Sequence, residues 1–264
     1  MLRIFVLLMA AITSIHCYAQ IPTTCAAMNV VSPTGNPVFP GLNTLDRYQV
    51  EAIALNSPTG LNSIGDNSIV LFVQDNTGGI QVYSGAWYGS GLPNYPASVA
   101  QIVAGDLLRV TGLTGHFGGK TNIMERHNPV FTFTIENLGH PGEPVPYDIA
   151  DLQQAQAFDP SRATGGEFYQ GRLVRLRDVH LSSGTWEQGG RVAVADVNGA
   201  TISVALRGQT GLGTQPAPAG VIDLVGIFNQ EDTSVPYTGG YEIWPRSIND
   251  FIETSSTVEN WSLY

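Results

Sequence analysis

The sequence is poor in the residues that polyanion binders and metalloenzymes depend on. It has one lysine, Lys120, and 12 Lys+Arg against 22 Asp+Glu, for a formal net charge of -10. Polyanions are normally held by a basic surface that displaces their counterions, so general nucleic-acid binding is disfavoured, and the negative charge serves solubility. Cysteine is scarce as well, with only Cys17 and Cys25 in the chain. The histidines, His16, His116, His127, His140 and His180, are scattered. There is no His-Glu-x-x-His, no close Asp/His set, no nucleophile elbow and no phosphate loop. Phosphodiester hydrolysis needs metal or acid/base groups brought together. The chain therefore reads as non-enzymatic, with no metal or cofactor implied.

Beyond the N-terminus no stretch is long and apolar enough to cross a bilayer, so no transmembrane anchor is expected. Arg3 precedes a short apolar run from Ile4 to Ile12, and Cys17-Tyr18-Ala19 offers small residues where a signal peptidase reads. The expectation is a signal peptide over residues 1–19, cleaved after Ala19, and a secreted, extracellular protein. Lipidation at Cys17 would want small residues before it, where Ile15 and His16 stand. After cleavage Cys25 is alone, no internal disulfide is possible, and burial of apolar surface must hold the fold.

What is abundant points to β structure. Thirty glycines and sixteen prolines punctuate runs of Val, Ile, Thr and aromatic residues, the vocabulary of an all-β chain with many turns. Residues 20–45 lack a sustained period and read as a leader. Tyr48, Val50, Ala52 and Ala54 then alternate with their neighbours. Ile69 to Val73 reads as a buried strand, and Asp75-Asn76-Thr77-Gly78-Gly79 as the turn to Ile80-Gln81-Val82-Tyr83. A looser region with Trp87, Tyr88 and Tyr95 follows, then a strand from Asp106 to Gly112, a reversal at His116 to Lys120, and a strand from Thr121. Five strands with an irregular stretch after the third is the order of an OB barrel.

The order recurs with Arg172–Leu176, Val192–Asp196, Thr201–Val204, Val221–Gly226 and Tyr241–Trp244. Asp75 and Asp196 are 121 positions apart, Gly112 and Gly226 are 114 apart, and that near-constant offset favours duplication. A single large β-sandwich uses the same strand vocabulary. The tandem reading places a first five-stranded OB-fold barrel at 46–139 and a second at 166–253. Between them, 140–165 is a Pro-rich linker with a short helix capped by Asp148 and running through Gln156. Residues 254–264 form a polar, disordered tail.

The segments Phe72–Tyr83, Ala104–Gly112, Gly171–Leu176 and Tyr241–Ser247 resemble tandem OB-fold modules of exported bacterial nucleases. In that family such modules accompany catalytic domains of the endonuclease/exonuclease/phosphatase or metallophosphatase type, and no such domain is present here. The resemblance implies a nuclease-associated role in handling single-stranded nucleic acid. Val258–Tyr264 is similar to the lead-in of a type IX secretion sorting domain.

OB barrels bind through the face of strands 2 and 3 and the loops between strands 1–2 and 4–5. On that mapping Tyr83 and Phe117 in the first copy, and Trp186, Arg191 and Arg207 in the second, are the candidate ligand-binding residues. The rings stack on bases or sugars, and arginine forks onto phosphate. Each also has a plainer reading, as ring packing at a barrel end or as a solvated sheet face. Arg175 and Arg177 share one strand face. Asp75 and Asp196 stand beside Asn and Gly and read as turn residues, since calcium takes six or more oxygens. The sequence thus supports a secreted binding module for single-stranded nucleic acid. The alternative is an extracellular structural or adhesive module contacting a glycan or protein at the cell surface.

Overall fold

The computed structural model describes residues 20–66, 68–85, 97–128, 131 and 134–254. The signal-peptide and sorting-tail expectations, and Trp87, Tyr88 and Tyr95, lie outside the described residues. Of the described residues 40% lie in strands and 12% in helices, and the fold is all-β and OB-like.

The N-terminal half runs β1 (Gln20–Pro22), α1 (Cys25–Met28), β2 (Arg47–Ala54), β3 (Ile69–Gln74), β4 (Gly79–Ser84), β5 (Leu107–Phe117), β6 (Lys120–Met124) and β7 (Thr134–Gly139). Its sheet order is β1-β2-β3-β4-β6-β5-β7, with β2 also paired to β5. The β4–β6 pairing is parallel and β2–β5 antiparallel, with Val50 opposite Val110. The β2–β3 seam is short, Ile53 with Gln74 and Ala54 with Val73. Alternation puts Val50, Ala52 and Ala54 inside and Glu51 outside. The β3–β4 turn is held by Asp75, whose carboxylate accepts from the backbone N–H of Thr77 (2.7 Å) and Gly78 (2.9 Å). The same carboxylate accepts from the Cys25 N–H at 2.9 Å. That contact seats α1, so the leader joins the core through Cys25 and Met28.

The C-terminal half runs β8 (Tyr147–Ile149), α2 (Leu152–Ala155), α3 (Gly165–Tyr169), β9 (Leu173–Gly184), β10 (Arg191–Ala195), β11 (Thr201–Ala205), β12 (Ile222–Gln230), β13 (Tyr241–Trp244) and β14 (Phe251–Glu253). Here β9, β10, β11, β13 and β12 pair in turn and β12 returns to β9, closing a five-stranded barrel. The β11–β13 pairing is parallel, as β4–β6 is. The helix of the joint differs from expectation. Its cap is Asp151, whose side chain accepts from the Gln154 N–H at 2.8 Å. Asp148 instead lies in β8 and accepts from Arg175 (2.6 Å) and Arg177 (3.0 Å). An exposed carboxylate opposite two strand arginines gains more from charge than from a helix end.

Three apolar clusters divide the interior. Val50, Leu71, Val82 and Val110 belong to one inside the N-terminal half, and Val174, Val194, Val204 and Ile243 to one inside the C-terminal half. A third lies between the halves, where Leu55, Leu61, Val70 and Phe72 meet Leu173, Val225, Ile227 and Trp244. Among the described residues the interior is thus split into separate clusters and not one core running through both halves, as a sandwich would have. Glycine permits the closest approach, because a Cβ on Gly79 would overlap the Gly171 carbonyl and one on Gly171 would press on Gly79. Gly171 also has φ +77°, a conformation costly for other residues.

Candidate functional site

A cleft of about 290 Å³ opens where the two halves meet. Its floor is a block of four side chains from two parallel strands. Gln81 and Tyr83 of β4 lie beside Asn122 and Met124 of β6, in register. Period-two alternation sends all four to the face opposite the N-terminal core. Phe117 and His116, at the end of β5, form one rim, and Asp66 and His127 another. The far wall belongs to the C-terminal half and consists of Arg207, Glu231 and Trp244.

The far wall is fixed by internal contacts. Trp244 is 2% exposed, sits edge-on to Phe72 at 5.8 Å between centroids, and donates its indole N–H to Glu242 at 2.5 Å. The Arg207 guanidinium lies over the Trp244 ring at 4.3 Å and donates to the Leu61 carbonyl at 2.8 Å. Burial pulls its pKa down. Lys120 is 3% exposed and spans the junction, donating to the Gln230 carbonyl (2.5 Å) and to Glu231 (3.0 Å). Burial lowers its pKa too, while the Glu231 charge opposes the shift.

Two groups in the cleft are left with unused capacity, although the Lys120 ammonium lies 5.5 Å from the Phe117 ring centroid. Phe117 is 62% exposed, the most open aromatic side chain among the described residues. Asn122 is 2% exposed, and its Oδ1 is buried with no hydrogen-bond partner. Buried polar atoms are nearly always paired, so this one is an unmet acceptor in the floor of the cleft. The Tyr83 hydroxyl, pushed up in pKa by burial and then by the Asp66 and Glu125 charges, stays protonated. Asp66 and Glu231 bring negative charge to opposite sides of the opening.

Of the five residues the sequence singled out, the cleft gathers Tyr83, Phe117 and Arg207. It does not include the other two. Trp186 sits in the β9–β10 loop, donates to the Gln215 carbonyl at 2.8 Å and stands edge-on to Phe251 at 5.3 Å, closing an end of the C-terminal barrel. Arg191 pairs with Glu242 at 3.0 Å on the barrel wall. Arg175 and Arg177 do share a face, and both meet Asp148. Sequence reasoning passed over Asn122, Trp244, Glu231 and Asp66. Asn122 had a visible signal, as a polar amide in a buried strand. The other three come from elements whose approach to this face no local pattern encodes. Among the described residues no group of three or more His, Cys, Asp or Glu is placed to hold a metal ion, and no helix is long and apolar enough to cross a membrane.

No protein-family model matches the chain, and no curated protein matches it significantly. Among solved structures, a putative aspartyl-tRNA synthetase from Leishmania major Friedlin is similar over 58% of this chain and 26% of its own length, at 12% identity and a TM-score of 0.30. The chain thus spans about a quarter of that protein, and so slight a likeness bears on neither family nor function.

Proposed function

We propose that the chain is an exported, non-enzymatic binding module made of two tandem OB barrels packed face to face, and that it takes an uncharged ligand in the cleft at their junction. Two features support the pair of barrels. Both halves follow one pairing order, with a parallel third-to-fifth strand contact in each. Each half also has its own apolar interior. Export rests on the N-terminal pattern of Arg3, the apolar run and Ala19.

The observation that carries the ligand reading is the state of the basic side chains. Arg109, Arg175, Arg177, Arg191 and Arg246 are paired with carboxylates. Arg126 and Arg207 are bonded to backbone carbonyls, and Lys120 is buried in the junction. A phosphate backbone would have to displace these partners. Single-stranded nucleic acid, the ligand implied by the family resemblance, would then be held by base stacking on Phe117 and Tyr83 with little help from phosphate contacts. The test is fluorescence anisotropy with a labelled thymidine oligonucleotide over a range of salt. The expected outcome is a Kd no tighter than about 100 μM, at the weak end of non-specific binding. Tight binding that falls steeply with added salt would remove the uncharged-ligand reading.

A further inference from the structure

We infer that the junction cleft is a saccharide site, built for a single neutral, hydroxyl-rich ring; this rests on the cleft being the binding site proposed above. The groups that line the cleft offer acceptors, from Asp66, Glu231 and the Asn122 amide, and donors, from Arg207, Tyr83 and Gln81. Carboxylates accept and do not donate, and Asp66 and Glu231 stand at its edges. The Asn122 Oδ1 in the floor has no partner, and rotation of that amide presents either its oxygen or its nitrogen. A ligand that meets both kinds of group while leaving the Lys120–Glu231 pair and the Arg207–Leu61 bond in place brings hydroxyls, each donor and acceptor, and no phosphate, which describes a sugar better than a phosphate-linked nucleotide.

The apolar part of the site has the complementary form. Phe117 offers an open ring at the rim and Tyr83 a half-buried ring in the floor. Flat rings of this kind cover the C–H face of a sugar while the acceptors take its hydroxyls, the division of labour usual in ligand pockets. At about 290 Å³ the cleft is at the lower end of such pockets, which run from roughly 300 to 1,000 Å³. It has room for one ring, with further units of a chain passing over the rim. Floor and wall are set on strands of both halves and locked by the Lys120 and Arg207 contacts, so little ordering is needed on binding.

The experiment is saturation-transfer NMR and calorimetry on the full chain with maltose, cellobiose and N,N′-diacetylchitobiose, beside thymidine and a thymidine oligonucleotide. The expected result is millimolar or tighter binding of at least one disaccharide. Phe117→Ala should weaken it about tenfold or more, Asn122→Leu should weaken it as well, and Arg177→Ala on the outer face should leave it unchanged. Phe117 is exposed, so its truncation tests the site without threatening the fold. Oligonucleotide binding that is lost in Phe117→Ala, with no disaccharide bound, overturns the saccharide inference and leaves the cleft in place. Disaccharide binding indifferent to both cleft variants overturns the inference and the cleft reading together. No response from any probe overturns the saccharide assignment.

Discussion

Strands β3 and β10 hold the same place in their halves, each paired next to the strand (β2 or β9) that also pairs with the fourth of its set (β5 or β12), yet their surroundings differ. All six residues of β3, Ile69 to Gln74, are buried. In β10, Arg191 is exposed, Ala193 intermediate, and Val192 and Val194 buried. One strand meets apolar material on both faces and the other on one. The difference shows that a repeated strand order does not give repeated surfaces. In the N-terminal half the β3–β4 face, where OB barrels commonly take ligands, is covered by Leu173, Val225, Ile227 and Trp244. Among the described residues the strip around Gln81, Tyr83 and Asn122 lines the cleft instead, with Tyr83 half-buried and Gln81 and Asn122 at its buried floor.

The largest test of this contrast removes the cover. Trp244→Ala takes away a buried indole that touches Phe72 and carries Arg207, and should cost about 3–5 kcal/mol in chemical denaturation. Ser203→Ala, on the half-open face of β11, should stay within about 0.5 kcal/mol. Equal losses would mean that the two faces are not energetically distinct. Next comes the charge across the junction. Lys120→Ala should cost about 3 kcal/mol, because it leaves the Gln230 carbonyl unpaired and a gap behind. Lys120→Met keeps the apolar stem and should lose about half as much. If the two variants unfold at the same urea concentration, the stem contributes nothing.

A smaller effect, about 1–3 kcal/mol, is expected for Gly79→Ala, which wedges the halves apart at Gly171. Gly199→Ala, at a turn with open space around it, meets no such contact and is strained only by its φ of +83°. Thermal midpoints of the two variants would separate the cost of close approach from the cost of backbone strain. The smallest effect is a pH slope. Glu167 is fully buried and receives the Tyr241 hydroxyl at 2.8 Å, with Arg162 at 3.2 Å. Burial raises its pKa above the ordinary 4.5. The fold therefore favours the protonated acid, and stability should decline as pH rises from 4.5 through the raised value. On the outer face Asp148 behaves oppositely, since hydrogen bonds from Arg175 and Arg177 hold its pKa below 3.8 and its contribution is lost as pH falls. Glu167→Gln should flatten only the upper slope in a melting series against pH, and an unchanged profile would assign that slope to another group.

Much of this could be read along the chain. The unbroken Ile69–Val73 run announced a buried strand, Asp75 announced its turn, and the alternation in Arg47–Ala54 announced a half-buried one. Tyr83, Phe117 and Arg207 stood out by residue type alone, and the structure brings them to one cleft, with Arg207 held by the Leu61 carbonyl and the Trp244 ring. Trp186 and Arg191 had the same appearance and are occupied elsewhere, by Phe251 and Glu242. A side chain's type tells what it can bind, while its neighbours decide whether it is free to do so.

The sequence by itself determined five strands in each half and the turns between them, since these depend on residue spacing within a few positions, while the added edge strands β1, β7, β8 and β14 did not stand out in it. Only the tertiary structure decided which face of each half would be covered, which arginines were already engaged, and that Asn122 would keep an acceptor with no partner. The covered face depends on the approach of segments more than a hundred residues apart, such as Leu61 with Arg207 and Lys120 with Gln230, and the engaged arginines on partners 27 to 58 positions away, Asp148 for Arg175, Glu242 for Arg191 and Glu51 for Arg109. No local periodicity records such distances, because the contact energy is shared by two surfaces and belongs to neither alone.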